Sequence, residues 1–302
     1  MDSSRPHGDK LQALLNNDKL PASDRDRINQ AIEKYHKWRE AIARVPAGYD
    51  GVEEAVRLLN EYRMFLDIEV IFDSEHDFLY RQKGQIKIDN SVIEEFLSLL
   101  IANVFPDACR TFLLGSRQCF TGLYFTSTMH TASTEIGSRI KVKDLDFAIS
   151  KRVYLMVSTE PTFTGVTERI ETDLGYLCVE CKTNLDKTMF QEACATAHDV
   201  KTGLPATKYL LLCEWLDMKP MSTLGTDIDE VLILRKAKRL SAQIRNVFAK
   251  REGRIKCREK YIQYLSEHPF SSDVFIRFLK HVQSLIEDRF LDEQEVLDRG
   301  YF

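Results

Sequence analysis

The chain has 302 residues, 44% of them hydrophobic, which is enough apolar material to bury the core of one large domain or two smaller ones. A net charge of −4 excludes a chain that is cationic overall and so gives no global sign of a nucleic-acid or membrane partner. Seven cysteines, an odd number with Cys178, Cys181, Cys194 and Cys213 inside apolar runs, argue against a disulfide scaffold and suit a reducing, cytoplasmic setting.

The first ten residues, MDSSRPHGDK, carry no apolar signal region, and no run of 18 apolar residues occurs. Residues 1–88 read as helical. In ASDRDRINQAIEKYHKWREAIARV, Ser23 stands as an N-cap, and Ile28, Ala31, Ile32, Tyr35, Trp38 and Ile42 form one stripe. Gly48 and Gly51 interrupt it, and VEEAVRLLNEYRMFLDIEVIF resumes the period with Val52, Ala55, Val56 and Leu59. A further helix is expected from Asn90 or Ser91 through IEEFLSLLIANVF, ended by Pro106. From about residue 110 the texture changes to short β-rich runs: RTFLLGS, TGLYFTSTM, RIKVKDLDFAIS, GYLCVECK, TKYLLLCEWL and DEVLILRK. One helix, capped by Asp186 and running to about Lys201, lies between the fourth and fifth runs, which predicts an α/β core with a mixed sheet. After Arg235 helices return in RKAKRLSAQIRNVFAKREG, IKCREKYIQYLSEH and SSDVFIRFLKHVQSLIEDRFL. The expected organisation is a helical region over 1–88, a core over 89–235 and a basic, helical region over 236–302.

The chemistry concentrates at two strands. Alternate strand residues share a face, so in YLCVECK the residues Tyr176, Cys178, Glu180 and Lys182 point one way. In KDLDFAIS, Asp144 and Asp146 share a face, and Leu145, Phe147 and Ile149 are expected on the opposite, apolar one. If the strands are neighbours, a carboxylate from each meets the lysine. Two carboxylates suit a hard divalent cation such as Mg²⁺, and the lysine can orient or deprotonate an attacking water and offset charge on a phosphorane. The carbonyl of Cys181 is a further candidate oxygen ligand. Spacing alone is weak: Asp199-Val-Lys201 and Asp217-Met-Lys219 repeat it, the first at a helix end and the second running into Pro220. A structural ion pair is the plain alternative. Cys178 and Cys181 have no second pair at zinc spacing and read as packed thiols.

DFAI (146–149) followed by VECK (179–182) and a helix resembles the PD-(D/E)xK nuclease superfamily, to which most type II restriction endonucleases belong. The fuller run ECKTNLDKTMFQEA, with KDLDFAIS before it and LLLCEWLDM after it, is similar to the asymmetric two-subunit restriction enzymes that cut CCTNAGC-type sites. The likeness covers roughly residues 110–240. It implies a mixed-sheet restriction-endonuclease-like core and a Mg²⁺-dependent, sequence-specific endonuclease that leaves 5′-phosphate and 3′-hydroxyl ends. Asp146 and Glu180 would be the metal ligands and Lys182 the catalytic lysine. It also implies double-stranded DNA as substrate and a second, related subunit as partner, with a homodimer as the alternative. Leu145 stands where the family often has proline, which leaves Asp144 as a rival ligand.

Other candidates are less determined. Gln191, on the helix after the motif, is a candidate to support the lysine or a phosphate, and Glu135 is a candidate third carboxylate. His130 and His198 read as ordinary histidines. In the Ser-, Thr- and Arg-rich stretch over 110–139, Arg117, Gln118 and Arg139 have the chemistry to contact DNA. From Arg235 to Lys260 there are 11 Lys/Arg against two acids, so the rest of the chain is strongly acidic. Lys236, Lys238, Arg239, Arg245, Lys250 and Arg251 are phosphate-contact candidates there, although such a run also fits a solvated helix face. Three rivals remain: a structure-specific repair or junction nuclease, a DNA-binding subunit with a silent site, and a helical interaction protein whose Glu180–Lys182 pair is structural.

Overall fold

The computed structural model describes residues 5–81, 87–132, 134–288 and 293–300; the expected structure at 1–4, 82–86, 133 and 289–291 lies outside them. Among the described residues, four longer helices lead into the sheet: α1 (Pro6–Leu15), α2 (Ala22–Ile42), α3 (Val52–Phe65) and α4 (Ile88–Val104). The expected stripe of α2 is the buried one, through Ile28, Ala31, Tyr35, Trp38 and Ile42. Ser23 is not its cap. The helix begins at Ala22, and the Ser23 hydroxyl instead meets His76 Nε2 at 3.0 Å. Beyond Phe65 the helix widens to a π-helix over Leu66–Phe72, which turns Leu66, Ile68, Val70, Ile71 and Phe72 all inward. Helix α4 starts at Ile88, two residues before the expected Asn90, and is apolar on most sides because it lies between the other helices and the sheet.

The six β-rich runs form five strands. RTFLLGS and TGLYFTSTM are one continuous strand, β1 (Leu113–Phe125), followed by β2 (Ser138–Ser158), β3 (Thr167–Leu185), β4 (Lys208–Leu216) and β5 (Glu230–Ile233). Their order is β1-β2-β3-β4-β5, antiparallel through β3 and parallel from β3 to β5. Helix α5 (Lys187–Gly203) makes the crossover from β3 to β4, and the Asp186 side chain caps it, accepting the Met189 N–H at 2.9 Å. Strand β4 is buried from Tyr209 to Trp215, as a parallel strand covered on both faces must be. No described helix is long and apolar enough to cross a membrane.

One face of the sheet, with Phe147, Ile149, Leu177, Val179, Cys181, Leu210 and Leu212, packs in a single core with α1–α4 and with α7 (Ser272–Glu287). The other face, with Leu145, Ala148, Cys178, Tyr209, Leu211 and Cys213, is covered by Phe190, Ala193 and Ala197 of α5. Leu145 therefore does not share a face with Phe147 and Ile149 as expected. Gly115 pairs with Ala148 but Arg117 pairs with Leu145, so two steps on β1 span three on β2. The extra residue at Asp146–Phe147 is a β-bulge, which reverses the side-chain alternation at this point.

The helix expected over residues 235–253 is also absent as such. Leu216 bonds Ala237 and Arg239 along the backbone, Lys236 has a left-handed φ of 48°, and only Ala242–Val247 is helical before α6 (Arg251–Glu267). Left-handed backbone at a non-glycine residue cannot continue an α-helix. Arg235 itself is buried, bonded to Glu214 and stacked over Phe270.

Candidate active site

Glu180 and Lys182 share a face near the end of β3, as their spacing requires, and Lys182 Nζ lies 2.5 Å from Glu180 Oε1. The other oxygen of that carboxylate accepts the Tyr209 hydroxyl from β4 at 2.6 Å, so both oxygens of Glu180 are held. Burial first, and then the charge of Glu180, push the Tyr209 phenol far above its ordinary range, so it is a permanent donor here. The third side chain comes from the bulge. Pairing between β2 and β3 stops at Phe147–Val179, and one residue further on Asp146 Oδ2 accepts the backbone N–H of Cys181 at 2.9 Å. The carboxylate of Asp146 thus takes a ladder hydrogen bond where the two strands part, and it lands beside the Glu180–Lys182 pair. Lys182 is half-buried. Desolvation pulls its ammonium down, but Glu180, Asp146 and Glu192 together outweigh this and the net shift is upward.

Helix α4 supplies a wall that the strand reading did not include. Asn90 and Glu94 lie at i and i+4 on one face of the helix, and Lys87, with a left-handed φ of 54°, immediately precedes it. Lys87 Nζ is 3.4 Å from Asp146 Oδ1, and Asn90 Nδ2 donates to the Cys181 carbonyl at 3.3 Å. Glu94 is 7% exposed, and burial, followed by the charge of Asp146, raises its carboxyl to about 7 against the opposing pull of Lys87 and Lys10. The sequence did hold a signal: Glu94 and Glu95 interrupt an otherwise apolar helix. Glu95 proves structural, accepting Tyr35 at 2.7 Å, Arg39 at 2.7 Å and the backbone N–H of His7 at 3.1 Å.

Comparison with known proteins gives the family. A model of the Bpu10I restriction endonuclease family matches residues 85–302, which include every side chain of the site. The chain belongs to that family. It is accordingly a subunit of a type II restriction enzyme, a site-specific endonuclease acting on DNA. Among solved structures it is similar to the BbvCI A2B2 tetramer, at 21% identity and a TM-score of 0.57, over 85% of this chain and 93% of that one. That likeness supports the fold, including the helices at both ends. No curated protein matches the sequence.

In this endonuclease the remaining candidates separate by place. Asp144 is exposed and accepts Gln118 Nε2 at 2.9 Å, so neither side chain joins the Asp146 cluster. Glu135 and Arg139 lie at the β1–β2 hairpin end, roughly 25 Å of strand from Asp146 at about 3.3 Å per residue. Arg139 there donates to the carbonyl of Ser138. Arg117 lies opposite Leu145, beside the bulge, with its Nε buried and without a hydrogen-bond partner among the described residues. Gln191 is exposed on α5, and the charge that reaches Lys182 from that helix is the neighbouring Glu192. The two other D-x-K triplets are tied elsewhere: Asp199 pairs with Lys141 and Lys143, Lys201 with Asp229, and Asp217 with Arg239 and Arg245.

Much of the basic tract is committed to structure. Arg254 is fully buried and donates to the carbonyls of Phe72, Ser74, His76 and Phe248, and Arg258 is bidentate to Asp73. Lys236 pairs with Asp273, and Lys250 and Arg251 pair with Asp77 and Glu75. Lys238 is exposed and in no ion pair among the described residues.

The donor set fits a hard divalent cation. Asp146 and Glu180 bring two carboxylates to the same strand fork, each now compensated by a lysine, Lys87 and Lys182. No group of three His, Cys, Asp or Glu side chains among the described residues is arranged to enclose a metal. Two carboxylates are nevertheless the complement of a Mg²⁺ site that keeps several waters and takes substrate oxygens.

Proposed function

We propose that this subunit is a Mg²⁺-dependent PD-(D/E)xK endonuclease that hydrolyses one strand of double-stranded DNA per site, with Asp146 and Glu180 as metal ligands and Lys182 as the catalytic lysine. The observation that carries the reading is the bond from Cys181 N–H to Asp146, which draws one carboxylate from each strand to a common fork beside an ammonium. The Cys181 carbonyl is the third oxygen offered. Bound there, Mg²⁺ would polarise the scissile phosphate and make an attacking water more acidic. The protein's own groups do the rest. Asp146 and Glu180 are held by Cys181 N–H and Tyr209 before substrate arrives, so little reorganisation is needed. Lys182, kept protonated by its acidic neighbours, donates to a phosphate oxygen and offsets the charge that builds up during in-line attack. Products would carry 5′-phosphate and 3′-hydroxyl ends.

One such centre cuts one strand, so a double-strand break requires a second. The A2B2 assembly of BbvCI supports a related partner subunit, with a homodimer as the simpler arrangement. Arg117, beside the bulge, and Lys238, which has no ionic partner among the described residues, are the more available of the candidate DNA-contacting cations. The Asp217-paired Arg239 and Arg245 line a cavity of about 300 Å³ with Thr183, Asn184 and Trp215, just past Lys182 on β3. The amino-terminal region, nuclease core and basic carboxy-terminal region would serve as parts of one cytoplasmic enzyme.

The test is incubation with plasmid DNA and Mg²⁺, with and without the second subunit, followed by end mapping. Discrete fragments are expected. In the active complex, Lys182→Ala should lower cleavage at least ~10²-fold while DNA binding persists. Undiminished cleavage by that complex, or cutting only of branched or mismatched DNA, overturns the proposal.

A further inference from the structure

We infer that Asn90 is a positioning residue for the nuclease reaction. It holds the peptide carbonyl before Lys182 and the side chain after it, and it couples the amino-terminal helices to the catalytic strand. This inference rests on the proposed function above. The strand alternation makes the argument. Lys182 and Glu180 face one side of β3, so Cys181 and Thr183 face the other, toward α4. Asn90 uses its donor and its acceptor on these two neighbours: its Nδ2 donates to the Cys181 carbonyl at 3.3 Å, and its Oδ1 accepts the Thr183 hydroxyl at 2.8 Å. The amide therefore spans the lysine position from behind. Cys181 is held at both ends, with its N–H on Asp146 and its carbonyl on Asn90. The Glu180–Cys181 peptide links Glu180 to Asp146 through its N–H, and the Cys181–Lys182 peptide that Asn90 holds leads directly into Lys182. Fixing Cys181 at both ends therefore sets the separation of the carboxylates and the direction of Lys182.

A carbonyl has two lone pairs, so the bond from Asn90 orients the Cys181 oxygen without exhausting it. Asn90 is itself anchored. Its helix is secured to α1 by His7, whose backbone N–H donates to Glu95 and whose ring meets Ser91 and Tyr62 at 3.0 and 2.7 Å. Buried, and next to Arg63, that imidazole is held down to about 3, so the anchor is neutral at working pH. Only an amide side chain presents a donor and an acceptor side by side at this length. A leucine of similar size presents neither, and an aspartate keeps only the acceptor.

The experiment uses the complete enzyme with its partner subunit and compares single-turnover cleavage, DNA affinity and Mg²⁺ dependence for wild type, Asn90→Leu, Thr183→Val, Thr183→Ser and Lys182→Ala. Groups that orient metal ligands typically change activity by 10- to 100-fold, so Asn90→Leu should lose roughly that much rate with DNA affinity unchanged and a higher Mg²⁺ requirement. Thr183→Val should lose a few-fold and Thr183→Ser should restore the rate. Thr183→Val added to Asn90→Leu should cost nothing more, because the bond is already gone. A full-rate Asn90→Leu enzyme alongside an inactive Lys182→Ala one overturns this inference alone. A Lys182→Ala enzyme that cuts like wild type overturns the nuclease reading beneath it. If Asn90→Leu does not fold, the threonine pair decides: equal rates for Val and Ser at position 183 overturn the inference.

Discussion

Glu94 makes the most direct quantitative demand on this structure. Its carboxyl ordinarily titrates near 4.5 and is raised to about 7 by burial and by the charge of Asp146. The sign follows from linkage. The folded state keeps a proton that the unfolded chain has already lost, so the stabilisation is complete below pH 4.5 and is lost as pH rises to 7. Each tenfold change in proton affinity is worth ~1.4 kcal/mol, which puts the loss at about 3 kcal/mol. Glu94→Gln removes the titration while keeping the shape. In urea unfolding at several pH values in chelator, the variant should match wild type near pH 4.5 and exceed it by up to about 3 kcal/mol at pH 8, with the gap opening between. A gap that stays constant across this range, or that closes as pH rises, would refute the placement of Glu94 against Asp146.

Two further outcomes follow from other parts of the molecule. Mg²⁺ should raise the unfolding midpoint of the wild-type chain, by about 2.7 kcal/mol of stability at a hundred times its dissociation constant, and should not do so for Asp146→Asn or Glu180→Gln. An equal shift in those variants, measured by calorimetry, would move the cation elsewhere. Arg254→Ala, inside the basic tract, should cost roughly 3–5 kcal/mol in chemical denaturation, because it leaves four carbonyls and Asp77 without their buried donor. Loss of DNA affinity at unchanged stability would instead place Arg254 at a DNA-binding surface.

The mixed sheet, the capped helix after the motif and the buried stripes of the amino-terminal helices were legible because they depend on local periodicity. Glu180 and Lys182 were legible for the same reason: two residues apart on one strand is a fixed geometry. The face of Leu145 was not, because one extra residue in β2 reverses the alternation and nothing in KDLDFAIS marks where. The basic tract misled in a different way. Arg235, Arg254 and Arg258 have the composition of a polyanion-binding surface, yet most of their acceptors lie 21 to 185 residues away in the chain and only folding brings them together.

What the sequence determined by itself is thus the set of elements and the E-x-K pair, since period and spacing act within a few residues. What tertiary structure alone decided is which carboxylate meets that pair. Asp146 and Asp144 are equivalent by alternation, and the bulge sends one to Cys181 N–H and leaves the other on Gln118. The same folding brings Asn90 of α4 against β3, some ninety residues later in the chain, and sets Lys87 and Glu94 beside Asp146. A hydrogen bond across that distance in sequence has no local signature, because it is the packing of α4 on β3 that creates it.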